Sequence, residues 1–351
     1  MHHQLLKNLT LVIFTYNRPE FLKRTIKYWS NYNLKLLILD GSDIKLKDPC
    51  LKNKNVKYIF GPKDLYTRLL NSINNIDTEF VILGSDDEFY FPSALTSCIT
   101  FLINNSNFSC CGGIALGFGR TKKRRLYGQL RYPELHNLIL NDNFAIERIE
   151  KHFSNYVPAH FYSVMRTNVW QKICRHVFIK EFSFDAALEL QIEFLLLVNG
   201  KTKIISELMW MRNLNENLSH RGTSPALTES FDINDWWDDK IYKNEKKDFF
   251  YRMQNACDDL SRIQKDKLNQ DHISKLFKIY ISNSLNVKKT FFRKILDFIP
   301  FKIKNLINFF LGRHKRDLII EVKKLEVKDI LVNHKELDLI LLYLEDDINN
   351  D

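Results

Sequence analysis

The chain has 351 residues, with 52 Lys and Arg against 42 Asp and Glu, a formal net charge of +10, and 45% hydrophobic residues. That composition excludes a disordered or coiled-coil chain, and no apolar run approaches the ~18–20 residues of a membrane span. The start, Met1-His2-His3-Gln4, lacks a charged segment followed by a long apolar one, and the six cysteines form no C-x-x-C pair, so they read as reduced, mostly buried thiols of a cytoplasmic protein.

Leu9 to Tyr16 is apolar and β-branched and is cut off by Asn17-Arg18-Pro19, which predicts a buried strand. Pro19 suits the first turn of a helix that carries Phe21, Leu22, Ile26 and Trp29 at helical spacing. Leu34 to Leu39 is a second buried strand, ending in Asp40-Gly41-Ser42. Val56 to Phe60 is a third, stopped by Gly61-Pro62. A helix over Leu65 to Ile76 leads to a fourth strand, Phe80 to Leu83, which runs into Gly84-Ser85-Asp86-Asp87-Glu88. This alternation predicts an α/β fold with a parallel sheet. Such sheets bind ligands at the carboxyl ends of their strands, where Asn17, Asp40 and Asp86 fall.

Further on, the pattern predicts a helix over Leu95 to Ile103, a strand over Cys110 to Phe118 and a basic loop from Arg120 to Arg131. Tyr156 to Arg166 contains a short strand. Phe184 to Val198 is a helix capped by Asn199-Gly200, and strand-like pieces follow at Lys203 to Ile205 and Leu208 to Met211. Beyond Trp236-Trp237 the chain reads as helices. The expected organisation is therefore a unit over residues 1–235 and a helical region over 236–351.

The acids after the fourth strand carry the most chemistry. Adjacent carboxylates repel one another, and a divalent cation relieves that repulsion. Hard oxygen ligands suit Mg²⁺ or Mn²⁺. The plainer reading is an acidic loop whose Asp caps the next helix.

Three motifs stand in order: V-I-F-T-Y-N-R-P-E-F-L (Val12 to Leu22), the strand end Asp40-Gly41-Ser42, and S-D-D-E-x₃-P-S-A-L (Ser85 to Leu95). Together they resemble the nucleotide-sugar-binding half of GT-A-fold, family 2-like bacterial glycosyltransferases, over roughly residues 9–225. The resemblance implies a GT-A-type (Rossmann-like), mostly parallel sheet flanked by helices, here with a C-terminal helical extension. It implies metal-dependent transfer of a sugar, with inversion, from a nucleoside-diphosphate sugar to a glycan or lipid-linked acceptor in surface polysaccharide synthesis. It places Thr15, Tyr16, Asn17 and Arg18 around the nucleotide, Asp40 on its base or ribose, Ser85 and Asp86 on the donor, and Asp86 and Asp87 on Mn²⁺ or Mg²⁺. The sequence departs from the usual D-x-D-D form, because Gly84 stands where the first Asp is normally found. As a nucleoside diphosphate leaves, its growing charge calls for a metal ion or fixed cations. Arg18 and Arg68 are candidates, with solvated surface charge as the alternative for each.

Inverting transfer also needs a carboxylate to take the acceptor hydroxyl proton. The resemblance puts it at the start of the helix after the acceptor-side strands. The match is F-S-F-D-A-A-L-E, in which Asp185 and Glu189 are four apart on one face, followed by Glu193; Asp185, nearest the N-terminus where the helix dipole favours an anion, is the preferred base and Glu189 the second. Helix capping by Asp185 and a solvated stripe for Glu189 are the bland readings. A histidine beyond the core sheet completes the metal site in many such enzymes, which points to His220, with Arg212 or Arg221 for phosphate. Tyr156 to Arg166 is aromatic and suits either an acceptor sugar ring or the core, and His160 there has no partner identifiable from sequence.

Positive charge gathers in two segments. One is Arg120 to Arg131, with six Lys and Arg and no acid; the other is Lys288 to Arg316, with nine basic residues and one Asp among bulky apolar ones. The second predicts an amphipathic segment, residues 288–316, lying on an anionic membrane surface, hence a peripheral place on the inner face of the cytoplasmic membrane. The alternative readings are a nucleotidyltransferase of sugar metabolism and a non-catalytic, basic, membrane-associated homologue. Thr-Tyr-Asn-Arg stands where the nucleotidyltransferases carry a Gly-rich loop, and no nucleic-acid-binding motif is present. The oligomeric state is left open.

Overall fold

The structure, a computed structural model, describes residues 4–121, 124–158, 160–184, 186–214, 232–261, 267–288 and 316–349. Strand β1 (Leu9–Thr15) enters helix α1 (Pro19–Trp29), which is followed by β2 (Lys35–Asp40), β3 (Val56–Phe60), α2 (Leu65–Ser72) and β4 (Phe80–Ser85). β1 lies between β2 and β4 and is parallel to both, and β3 runs parallel to β2. The register sets Thr15 level with Asp40 and Phe14 level with Ser85. The three strand ends that the sequence marks as chemically loaded therefore finish side by side.

β5 (Phe89–Tyr90), α3 (Pro92–Asn104), β6 (Phe108–Arg120), β7 (Leu126–Arg131), β8 (Ile139–Leu140) and α4 (Ala145–Ser154) come next. Then follow β9 (Val164–Arg166), α5 (Thr167–Val177), α6 (Ala187–Asn199) and β10 (Lys201–Asn213). The main sheet path is β11-β7-β6-β9-β4-β1-β2-β3, where β11 (Arg316–Asp317) is a late addition. The β4-β1-β2-β3 half is parallel. In the other half β9 pairs antiparallel with β4 and β6, β7 antiparallel with β6, and only β10 runs parallel to β6.

One local reading changes. The stretch from Arg120 to Arg131 is not all loop, because Leu126–Arg131 folds back on β6 as a hairpin strand. Its Tyr127 is buried and Leu126 and Leu130 are partly so, which ties the strand down despite the charge crowded into the turn. Helix α5 extends the chain after the short β9 strand; Val169, Trp170, Ile173, Cys174 and Val177 form its buried face at helical spacing.

Successive residues of the central strands feed opposite cores. Leu11, Ile13, Leu36 and Ile38 belong to one, while Val12, Leu37, Leu39 and Val81 belong to the other. Burial on both faces accounts for the continuous apolar runs. Helices α7 (Ile233–Asp238), α8 (Lys243–Leu260) and α9 (Gln270–Lys288) pack into the core on the Val12 side. α10 (Leu318–Val327) and α11 (His334–Asn349) pack into the core on the Leu11 side. There Glu336 accepts the Ser93 main-chain N–H at 3.0 Å and the Ser93 hydroxyl at 2.8 Å, at the start of α3. The six cysteines are free thiols, five of them buried. Among the described residues no helix is long and apolar enough to cross a membrane. Residues 289–315, the bulk of the basic amphipathic segment, lie outside the described residues.

Candidate active site

The ends of β1 and β4 meet in a charged network. Asp86 is fully buried and Asp87 nearly so. The Thr15 hydroxyl donates to Asp86 Oδ2, and the Thr25 hydroxyl donates to the Asp86 carbonyl at 2.6 Å. Ser85 Oγ donates to Asp87 Oδ1 at 2.8 Å, and Asn213 Nδ2 donates to Asp87 Oδ2 at 3.3 Å. Arg18 spans the pair, with Nη2 at 2.7 Å from Asp87 Oδ2 and Nη1 at 3.2 Å from Asp86 Oδ1. Its guanidinium rests 4.2 Å from the centre of the Phe21 ring, a cation–π contact that fixes it in place. Burial pushes the Asp86 carboxyl well above the usual carboxylate range; Arg18 and Thr15 oppose that shift, and the neighbouring Asp87 charge adds to it. Glu88 is likewise raised, first by burial and then by Asp87, although it accepts Trp210 Nε1–H at 3.0 Å and has Arg212 Nε 3.9 Å away.

Two adjacent carboxylates at a strand end are the hard-oxygen donor set that Mg²⁺ or Mn²⁺ takes. Each of the four oxygens already has a protein partner, but each carboxylate oxygen has two lone pairs, so the set accommodates a hard divalent ion. Such an ion would share the pair with Arg18 or displace it.

Beside this network, between the β1–α1 loop and the end of β2, lies a cleft of ≈ 480 Å³ lined by Thr15, Asn17, Asp40, Ser42 and Asp43, with Lys23 among its walls. Asn17 sits in the left-handed region (φ 54), which Asn tolerates. That conformation lets its N–H donate to Ser42 Oγ at 2.7 Å, while its amide exchanges hydrogen bonds with Asp43 at 2.8 and 2.9 Å. Asp40 is buried, accepting Ser42 N–H at 2.8 Å and the Tyr58 hydroxyl at 2.6 Å.

Arg68 lies behind the cleft. Its side chain is buried, and it donates to the carbonyls of Leu39 at 2.8 Å, Thr15 at 3.0 Å and Lys63 at 3.3 Å, bracing the ends of β1 and β2. Gly41 is required there, because a Cβ at that position would stand 2.5 Å from Arg68 Cζ. Tyr16 lies close enough to Arg68 and Lys63 for its phenol to bear on their charges.

Across the site, Glu189 sits in the first turn of α6 and lines an apolar pocket of ≈ 180 Å³ with Phe14, Tyr66, Phe161, Tyr162 and Phe184. Burial pushes its carboxyl up to about 7, with the Glu193 charge adding and the Tyr156 hydroxyl and Arg212 opposing. Tyr156 donates to Glu189 Oε1 at 2.6 Å. Arg212 is the shared cation of the two halves, since its charge bears on Glu88 and Glu189 alike, and its Nη1 donates to the Tyr132 hydroxyl at 2.5 Å.

Thr15, Arg18, Ser85, Asp86 and Asp87 thus form one network, Asn17 and Asp40 line the adjoining cleft, and Glu189 and Arg212 lie on the far side. Asp185, His220 and Arg221 lie outside the described residues. Asn213 joins the site unannounced by motif, and Glu88 and Tyr156 join it from stretches in which neither had a role of its own. Only the run of three acids pointed to Glu88, and only the aromatic clustering around residue 160 pointed to Tyr156.

Residues 10–174 match the family model described as glycosyl transferase family 2. Among solved structures, the crystal structure of S. aureus TarS 1-349 is 12% identical, with 80% of this chain and 91% of that one covered at a TM-score of 0.43. The same fragment in complex with UDP-GlcNAc is 11% identical, with 80% and 91% covered at 0.45. No curated protein sequence matches the chain. The family match begins at the second residue of β1 and ends inside α5, taking in the parallel strands and both acidic strand ends. That stretch, a little under half of the chain, is similar to glycosyl transferase family 2, and the protein is a glycosyltransferase.

Proposed function

We propose that the protein moves a sugar from a nucleoside-diphosphate sugar to a glycan or lipid-linked acceptor, with inversion at the anomeric carbon. The observation that carries this reading is that one cation, Arg212, bears on carboxylates of two kinds of surroundings, Glu88 beside the acid pair and Glu189. On one side is a cation-paired set, Asp86 and Asp87, at the ends of parallel strands. On the other is Glu189, pushed up to about 7 in an aromatic-lined pocket. The two differ in their partners: Arg18 pairs with the first set, and a tyrosine hydroxyl donates to Glu189.

In this reading the nucleoside occupies the cleft beside Asn17, Asp40 and Asp43. Arg18 faces the diphosphate, and Arg212 steadies charge between donor and acceptor. Glu189 takes the proton of the acceptor hydroxyl as its oxygen attacks, and Tyr156 orients that carboxylate. A divalent Mn²⁺ or Mg²⁺ held by Asp86 and Asp87, with His220 as a candidate third ligand, would supply charge stabilisation for the leaving nucleoside diphosphate. Asp185 is a second candidate base. The alternation of basic and bulky apolar residues over 288–316 supports a peripheral contact with an anionic membrane, which suits a lipid-linked acceptor.

The test is direct: incubate the protein with a panel of sugar nucleotides and Mn²⁺ or Mg²⁺, and measure nucleoside diphosphate release. One donor should be hydrolysed slowly and bound in the micromolar to millimolar range. Failure of every sugar nucleotide to bind overturns the reading.

A further inference from the structure

One turn beyond Glu189 on α6 lies a buried polar cluster that the reaction above leaves unused. Glu193 is fully buried, as are His152 on α4 and His160, and all three are nearly or wholly without solvent contact. Glu193 Oε1 accepts the main-chain N–H of His160 at 2.7 Å and of Phe161 at 2.6 Å. Its Oε2 meets His160 Nδ1 at 2.6 Å and His152 Nε2 at 2.9 Å. An ionised carboxylate only accepts, so both rings present an N–H to it. His160 Nε2 is then left to Thr202 Oγ1, 2.9 Å away on β10. Burial alone raises a carboxyl, but here the two imidazoles and their hydrogen bonds outweigh it and bring Glu193 down to about 2.

The stretch fastened in this way begins and ends at the site. Tyr156 donates to Glu189 at 2.6 Å, and its ring lies 5.2 Å from that of His152. Phe161 and Tyr162 line the aromatic pocket, and Tyr162 stacks on Trp210 with ring centres 4.1 Å apart. Four pieces of chain (α4, the Tyr156–Tyr162 stretch, α6 and β10) are thus joined through one carboxylate.

We propose that Glu193, clasped by His152 and His160, is a positioning residue that holds the Tyr156–Tyr162 stretch against α6, so that Tyr156 meets Glu189 and the aromatic wall faces the acceptor. The catalytic consequence rests on Glu189 being the base; the clasp itself does not. Among the described residues this trio is also the only group of three or more His, Cys, Asp or Glu side chains whose ligand atoms lie within 4.8 Å of one another. The hydrogen-bonded form is favoured because both rings converge on one oxygen at hydrogen-bond distance, and the other oxygen is taken by two main-chain N–H groups.

The groups facing Glu189 are Tyr156, Tyr162, Arg212 and Glu193; those facing Glu193 are His152, His160, Tyr156, Glu189 and the Cys110 thiol. Glu193→Gln keeps the shape and an oxygen for the two main-chain N–H groups but removes the charge and requires the rings to change tautomer to accept from its NH2, whereas Glu193→Ala removes the clasp. In protein carrying ¹³C-labelled glutamate carboxyls, with the Glu189 signal identified through Glu189→Gln, the Glu189 titration midpoint should fall by about one unit in Glu193→Gln. Glu193→Ala should lower kcat by about 10²-fold with donor KM unchanged, and Glu193→Gln should recover most of that loss. An unmoved Glu189 midpoint in Glu193→Gln overturns the proposal, as does wild-type kcat in Glu193→Ala. A stoichiometric metal ion retained by the purified protein and lost in Glu193→Gln also overturns it. Should no sugar nucleotide turn over, the function proposed above fails, while the titration still decides the clasp. The titration needs only Glu193→Gln, so it stands even if Glu193→Ala does not fold.

Discussion

Arg18 Nη2 stands 2.7 Å from Asp87 Oδ2, so the acid pair expected to hold a divalent ion already has a resident cation. The side chain is about nine-tenths buried and lies over the Phe21 ring. A metal ion arriving at Asp86 and Asp87 must contend with that charge at short range, where like charges interact by several kcal/mol. Arg18→Gln should therefore raise the affinity of the donor-free protein for Mn²⁺ by about tenfold or more, read by calorimetric titration. An unchanged or weaker affinity would show that Arg18 and the ion do not compete.

Asp86 is held by Thr15 and Arg18, which makes the choice of substitution matter. Removing one partner of a buried ion pair costs about 3–5 kcal/mol through the charge left behind. Asp86→Ala should thus lose both stability and turnover. Asp86→Asn keeps the shape and a hydrogen-bonding partner for Thr15, and should lose turnover with a smaller loss of stability. Denaturant midpoints and nucleoside diphosphate release from the two variants separate these effects.

Gly84 explains why the usual first acid of the motif is missing. A Cβ there would stand 2.9 Å from Leu11 Cδ1 and 3.2 Å from the Tyr90 ring, on the core side of β4. The Tyr90 hydroxyl is itself tied to the Leu83 carbonyl at 2.8 Å, so the ring has little room to yield. Gly84→Asp is therefore expected to destabilise the protein by at least the ~1–3 kcal/mol of overpacking, with the cost of a buried carboxylate added. It should not improve metal binding. Thermal unfolding and Mn²⁺ titration of the variant check both halves of that statement.

The parallel half of the fold was legible because each of β1, β2 and β4 is an unbroken apolar run buried on both faces, and a run of that kind needs no partner to be recognised. Asp40 and Asp86 followed from the rule that such strands present ligand sites at their carboxyl ends. Arg68 was harder. It sits on α2 among apolar neighbours, and only the convergence of three main-chain carbonyls makes an inward guanidinium tolerable. No local pattern announces that. The partnership of His160 with Glu193 spans 33 residues, and the hairpin strand β7 hid behind the charge of its own turn. Pairings of this kind are decided by which elements stack, and the stacking is not written in either segment alone.

Tyr156 and Glu189 give the clearest pH prediction. The phenol donates to the carboxylate, so it favours the ionised form and opposes the upward push of burial. A base must be ionised to act, so turnover should rise with pH through the Glu189 value of about 7 and level off above it. Tyr156→Phe removes the donor and leaves burial and Glu193 unopposed from that side, so the acid limb should move to higher pH. A hydrogen bond to a charged group contributes about 1.5–3 kcal/mol, so a shift of about one unit is expected. Turnover at neutral pH should then fall by up to about tenfold, while the plateau at high pH stays near the wild-type value. Glu189→Gln should lose most of the rate, and any acid limb left in the residual rate then belongs to Asp86 or Glu88, whose carboxyls burial also raises. A Tyr156→Phe limb that stays in place, or moves to lower pH, would mean that another group, Asp185 foremost, takes the acceptor proton.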